Sequence, residues 1–302
     1  METYLGTWQI APSDGFWTDQ NLSDSEKVLS SAVRGGIVGF DTAQSYGKGR
    51  AEQTLSKILR RFPDKAFRID TKIMPSTKQA SEVLKISIDR LKPFPVDCLY
   101  LHWPRSGFDN LGYLKELEKL KEQGLFRKLG VCNLPLSMLE SLAKSGLRID
   151  RIQRPVSLLW TRELKETKDF CRENGIELAA YSPTGMGLLS GKYRNASDLN
   201  DARKDLFCFD EKCLGPYREL LDLMEQIAKY NGLSCIDVAR TWTESMDPDI
   251  IIIGTRNTEQ LKENLKTAPE LGSDELSELS TAASALEKAS KGVCENIFSY
   301  DW

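Results

Sequence analysis

Short apolar runs rich in β-branched and aromatic residues alternate along this chain with amphipathic stretches of helical period. The apolar runs fall at residues 4–10, 37–41, 66–72, 96–102, 128–131, 151–153, 177–181 and 250–253. Residues 23–34 open on Ser and Asp and stop before Gly35-Gly36, a helix start and a helix stop. Residues 50–61 stop before Pro63. Residues 77–91 set Val83, Leu84, Ile88 and Leu91 on one helical face. Residues 111–123 end at Gly124, 163–174 end at Gly175, and a further helix is expected over 258–265.

Through the seventh run, strand starts mostly recur roughly every 25 to 30 residues, the length of one strand–helix unit. Such units require a parallel sheet, and about eight of them favour closure. The expected fold class is therefore α/β, a (β/α)8 TIM barrel forming one domain over residues 1–302. A doubly wound open sheet is the alternative. Residues 274–288 read as an extra helix outside the barrel. Residues 190–215 are polar and strandless, an elaborated loop of the kind that shapes a substrate pocket.

Composition narrows the function classes. With 302 residues, 40% of them hydrophobic, the chain can bury a large core. Lys+Arg at 41 against Asp+Glu at 44 leaves a net charge of −3, so neither nucleic acid nor an anionic membrane is an expected partner. The first residues lack a signal-peptide pattern, and no run approaches the ~18 apolar residues of a membrane span. Seven scattered cysteines read as reduced thiols in a cytoplasmic protein. With a single histidine besides, no metal site is expected.

A barrel of this kind carries its chemistry at the C-terminal ends of its strands. Asp41, Thr42 and Tyr46 follow the second run, and Thr71-Lys72 end the third. His102 ends the fourth, Cys132-Asn133 follow the fifth, and Gln153 ends the sixth. Tyr181-Ser182-Pro183 end the seventh, and Gly254-Thr255-Arg256-Asn257 follow the eighth. Singly, each has an ordinary meaning. A lone histidine is more often structural, a strand-end lysine a solvated charge, and an Asp a turn residue. Together they make chemical sense. Tyrosine, with a pKa of ~10, is a poor acid near neutrality until a nearby ammonium favours the phenolate. Lys72 is the candidate ammonium, with Asp41 as its partner. His102 is the candidate to hold a carbonyl oxygen.

At these residues the sequence resembles the aldo-keto reductase family. The resemblance is carried by Gly39-Phe40-Asp41-Thr42-Ala43-Gln44-Ser45-Tyr46-Gly47 with Glu52, then Thr71-Lys72 and Leu101-His102-Trp103-Pro104. It continues through Gly130-Val131-Cys132-Asn133, Ala180-Tyr181-Ser182-Pro183, Ile253-Gly254-Thr255-Arg256 and Glu263-Asn264. It implies a (β/α)8 barrel that binds NADP, with NAD possible, in extended form across the rim. It implies a catalytic tetrad of Asp41, Tyr46, Lys72 and His102. By the same resemblance, Tyr181 stacks on the nicotinamide, and Cys132, Asn133 and Gln153 hold its carboxamide. Ser182, Pro183, Gly185 and Leu188 lie along the pyrophosphate. Gly254, Thr255, Arg256 and Asn257, with Gln260 and Asn264, hold the adenosine end. Arg256, opening the last barrel helix, is the candidate for a 2′-phosphate.

The chain departs from the family pattern in places. Cys132 stands where the family usually has serine, Thr184 replaces an apolar residue, and Arg154-Pro155-Val156 replace a stretch often containing an aromatic. No Gly-x-Gly-x-x-Gly follows a strand, so a Rossmann site is not expected. The expected reaction is reversible hydride transfer between NADP(H) and an aldehyde, ketone or sugar carbonyl, with a small-molecule carbonyl or alcohol as substrate. The alternative is a non-catalytic NADP(H)-sensing or partner-binding module of the same fold. A lyase using Lys72 as a Schiff base leaves Tyr46 and His102 without a role. Trp103 and Phe108 are candidate pocket walls, and Trp8, Trp17 and Trp302 are aromatic residues within possible reach.

Overall fold

Eight parallel strands close on themselves in chain order, β1 through β8, with β8 pairing back onto β1. They are β1 (Glu2–Gly6), β2 (Gly39–Asp41), β3 (Arg68–Ile73), β4 (Val96–Leu101), β5 (Phe126–Cys132), β6 (Arg151–Pro155), β7 (Glu177–Tyr181) and β8 (Ile250–Gly254). This is the expected TIM barrel, seen in a computed structural model that describes residues 1–12, 15–17 and 19–293. Trp302 lies outside the described residues.

The barrel helices are α1 (Leu22–Arg34), α2 (Arg50–Leu59), α3 (Ala80–Leu91), α4 (Asn110–Glu122), α5 (Leu136–Lys144), α6 (Leu164–Asn174), α7 (Leu214–Asn231), α8 (Cys235–Ser245) and α9 (Thr258–Asn264). The outer helix is α10 (Ser273–Ala289), which packs chiefly on α7. Local chemistry sets their ends. The Asn21 side chain accepts from Asp24 N at 2.8 Å and caps α1, one residue earlier than the Ser-led start expected above. Ser234 and Asp237 form a reciprocal capping box at α8.

Helices α5, α7 and α8 are additional to the expected set. The last two, with the loop before them, fill the long interval between β7 and β8. The first strand is shorter than the apolar run that announces it. The chain leaves the barrel after Gly6, Thr7 N bonds Asp41 O at 2.8 Å, and Trp8–Ile10 turn into a 3-10 helix. The sixth strand is longer than expected and ends on Pro155, paired with Tyr181. A proline fits there because the donor to β7 at this point is the next residue, with Val156 N bonding Tyr181 O at 3.1 Å.

One apolar cluster packs residues of all eight strands against α1–α6 and α9, and a second joins the post-β7 segment to α7, α8 and α10. Among the described residues, no helix is long and apolar enough to cross a membrane.

Candidate active site

The site begins where β2 ends. Beyond Asp41 the chain stays tied to β3: Thr42 N bonds Asp70 O at 2.9 Å and Gln44 N bonds Lys72 O at 3.0 Å. A 3-10 turn over Tyr46–Gly49 then folds Tyr46 back over the barrel mouth. Gly47 makes that turn possible. Its φ is +54°, and a Cβ there would lie 2.5 Å from Ala11 Cβ.

Lys72, on β3, is 1% exposed. Its ammonium donates to Asp41 Oδ2 at 2.7 Å, to Thr42 O at 2.8 Å and to Tyr46 Oη at 3.2 Å. Those three bonds use all three of its protons. Asp41's other oxygen accepts from Gln153 Nε2 at 2.7 Å. His102, just past β4, sets its ring edge-on to Tyr46, with centroids 5.7 Å apart. Its Nδ1 is buried without a hydrogen-bond partner. All four expected residues are thus brought together.

Electrostatics assigns protons here. Burial, reinforced by Lys72, holds the His102 pKa well below its usual value, so the ring is neutral. Burial works against the Lys72 ammonium, but Asp41 and Tyr46 outweigh it and raise its pKa. A lysine held charged in this way is no Schiff-base nucleophile. For Tyr46 the expected net lowering does not occur. Burial pushes its pKa up to about 12, and Lys72 offsets only part of that. Tyr46 is therefore protonated at neutral pH.

A cavity of about 710 Å³ runs from these residues across the rim. Tyr46, His102, Trp8 and Trp103 wall one end. Phe108 is not on this wall; it packs edge-on against Tyr113. Cys132, Asn133, Gln153, Tyr181, Ser182 and Pro183 line the next stretch. Their polar groups engage one another. Tyr181 Oη donates to Asn133 Oδ1 at 2.6 Å, and Asn133 Nδ2 donates to Cys132 Sγ at 2.9 Å and to His102 O at 3.2 Å. Both Asn133 and Ser182 take left-handed backbone conformations, with φ of +63° and +55°.

Gly254, Thr255, Arg256, Gln260 and Asn264 line the far end. Three expected residues do not reach the wall. Leu188 is buried in the second apolar cluster. Gly185 faces Leu159. Asn257 spends its side chain capping α9, accepting from Gln260 N at 2.8 Å.

Sequence reasoning missed Lys192, Tyr193, Arg203 and the start of α8 at Ser234 and Cys235, all of which line the cavity. Arg203 sits 5.1 Å from the Trp17 ring and 5.2 Å from Tyr193. Arg256 sits 5.8 Å from the same Trp17 ring and pairs with Asp19 at 2.7 Å. Gly15 O accepts from Ala202 N at 3.0 Å, joining the post-β1 and post-β7 loops beside that end. The only signal for Arg203 in the sequence is its place in the long polar loop.

The family model described as the aldo/keto reductase family matches residues 3–283. The chain is 29% identical to the chloroplastic pyridoxal reductase of Arabidopsis thaliana, covering 97% of this chain and 85% of that one. It is 24% identical to the NADH-specific methylglyoxal reductase of Escherichia coli, covering 86% and 87%. The structure of a glycerol dehydrogenase from Gluconobacter oxydans superposes with a TM-score of 0.75 at 22% identity, covering 99% of this chain and 94% of that one.

Proposed function

The chain belongs to the aldo/keto reductase family, and from that premise we propose that it interconverts a carbonyl and an alcohol with NADP(H), using Tyr46 as the proton donor. The observation that carries this reading is the Lys72 ammonium, 3.2 Å from Tyr46 Oη and held by Asp41, beside a neutral His102 on one cavity wall. The donor set fits a dinucleotide phosphate. The cavity is walled by rings at the Tyr46 end, while two guanidiniums, Arg203 and Arg256, stand at the other.

The nicotinamide, when bound, supplies the hydride. The protein's part is to place and protonate the oxygen. His102 orients a carbonyl oxygen towards Tyr46 and stabilises its growing charge. Tyr46 delivers its proton to that oxygen. A pKa of about 12 does not block this, since an alkoxide is more basic than a phenolate. Lys72 stabilises the phenolate left behind, and Asp41 keeps Lys72 oriented. In the oxidative direction the same groups act in reverse, with the tyrosinate as base. Tyr181, Asn133 and Cys132 form the wall proposed to hold the nicotinamide ring. Arg256 is proposed to take the 2′-phosphate. A cytoplasmic location is part of the same reading.

The test is turnover of a panel of aldehydes, ketones and sugars with NADPH and with NADH, followed at 340 nm. Tight cofactor binding with no turnover of any carbonyl or alcohol overturns the reading in favour of a sensing module.

A further inference from the structure

Beneath the site the barrel interior carries a polar cluster beside Ile250 and Ile252, where barrels of this kind are usually filled by branched apolar side chains alone. Asp70, Tyr100, Arg151 and Tyr4 are each at most 2% exposed. Arg151 Nη1 donates to Asp70 Oδ2 at 2.6 Å, and Tyr100 Oη donates to the same oxygen at 3.2 Å. Arg151 Nε holds Glu177 Oε2 at 2.7 Å. Strands β3 and β6 are not neighbours in the sheet, so the Asp70–Arg151 pair spans the interior. The two tyrosine rings lie over glycines. A Cβ on Gly39 would lie 2.3 Å from the Tyr4 ring, and one on Gly130 would lie 2.4 Å from the Tyr100 ring.

This layer is in register with the one above it. Residues two apart on a strand share a face. Asp70 lies two before Lys72, Arg151 two before Gln153, Tyr100 two before His102, and Gly39 two before Asp41. Asp70 is also the direct strand partner of Asp41.

We propose that Asp70 and Arg151 are positioning residues for proton transfer: their ion pair ties β3 to β6 directly beneath the Gln153–Asp41–Lys72 link, and its balanced charges set the potential felt by Tyr46. The proposal rests on the reading of Tyr46 as proton donor.

Asp70 faces Asp41 on β2, Tyr4 on β1, Asp97, Cys98 and Tyr100 on β4, and Arg151 on β6. Tyr46 faces Lys72, Asp41, Cys132, Tyr181 and His102. Asp41 is common to both sets. Burial, opposed by Arg151 and assisted by Asp41 and Asp97, pushes the Asp70 carboxyl up to about 7. Its charge is therefore present on the alkaline side of neutrality, where the Tyr46 proton is lost.

The experiment measures single-turnover hydride transfer against pH, with NADPH affinity by fluorescence, for Asp70→Asn and for Asp70→Asn/Arg151→Met. Asp70→Asn leaves Arg151 with one fewer counter-charge beneath Tyr46. The alkaline limb should move to lower pH by roughly 0.5 to 1, with NADPH affinity unchanged. The double variant removes both charges, so its limb should return to the wild-type position while the rate stays about tenfold down for want of the cross-link. An unshifted limb in a folded Asp70→Asn protein overturns the proposal. If Asp70→Asn fails to fold, the double variant decides, because it buries no unpaired charge. Wild-type rate in the double variant also overturns it. Tyr46→Phe is run beside them. If that variant keeps turnover, the Tyr46 reading itself fails; if it is inactive, an unshifted Asp70→Asn limb counts against the positioning pair alone.

Discussion

The Gln153 side-chain amide donates to Asp41 Oδ1 at 2.7 Å, while Lys72 holds Asp41 Oδ2 at the same distance. Asp41 is clamped from both sides of the barrel, and that clamp takes one of the two Nε2 protons of Gln153. Its Oε1 accepts from Cys132 Sγ at 3.6 Å. Gln153→Leu should therefore slow hydride transfer about 10- to 100-fold, through a displaced Lys72, while NADPH affinity changes by no more than about threefold. Single-turnover rates and fluorescence titration separate the two. A loss of affinity with an intact rate returns Gln153 to the carboxamide.

Tyr46→Phe removes only a hydroxyl, and that hydroxyl is bonded to the ammonium of Lys72. Turnover should fall by roughly 10³-fold and NADPH binding should persist, as expected for the loss of a positioned acid. A variant that keeps half of the wild-type rate on a good carbonyl rules out Tyr46 as the donor.

The barrel and the four central side chains were legible in the sequence because each rests on a local signal. Period-2 and period-3.6 patterning marks the units, and a polar residue at the end of an apolar run marks the rim. Asp41, Lys72 and His102 all sit at such ends. Arg203 carries no comparable signal, since nothing periodic in 190–215 says which polar residue turns inward. The Tyr46 pKa departs from the sequence expectation because a sequence shows the nearby lysine but not the burial that outweighs it. Leu188 and Gly185 follow a rim strand, yet the 3-10 turn there points them into the apolar cluster and at Leu159.

Buried tyrosines give the fold an alkaline limit. Burial pushes Tyr46 and Tyr113 up to about 12 from an ordinary 10.0. The unfolded chain gives up these protons first. Their contribution to stability is complete below pH ~10 and is lost as pH rises towards ~12. Urea unfolding between these values should show a falling midpoint, and Tyr46→Phe should make the fall shallower. A midpoint unchanged up to the upper value contradicts the assigned burial.

Cys132 accepts from Asn133 Nδ2 at 2.9 Å and lines the cavity. Sulfur is a weak acceptor and its thiol a weak donor. Cys132→Ser should tighten NADPH binding by about two- to fivefold, since a hydroxyl makes a stronger hydrogen bond of about 1 kcal/mol net. NADH should gain equally, because the change lies far from Arg256. A gain confined to one cofactor places Cys132 elsewhere than beside the nicotinamide.

Arg256 is engaged before any phosphate arrives. Its guanidinium pairs with Asp19 at 2.7 Å, donates to Gln20 Oε1 at 3.2 Å and lies 5.8 Å from the Trp17 ring. Asp19 is largely exposed, so the ion pair is weak and can be exchanged for a phosphate. A phosphate carries more charge than the carboxylate it displaces and offers oxygens for two parallel bonds from the guanidinium. Removing the carboxylate should therefore help the phosphate, and removing the guanidinium should hurt it. Asp19→Asn should tighten NADPH about two- to threefold and leave NADH unchanged. Arg256→Gln should weaken NADPH by about tenfold or more, again with little effect on NADH. Trp17 offers the readout, because its indole lies 5.8 Å from Arg256 and 5.1 Å from Arg203 and its emission reports binding at that end of the cavity. Equal losses for the two cofactors in Arg256→Gln would mean that Arg256 supports the loop through Trp17 and does not read the 2′-phosphate.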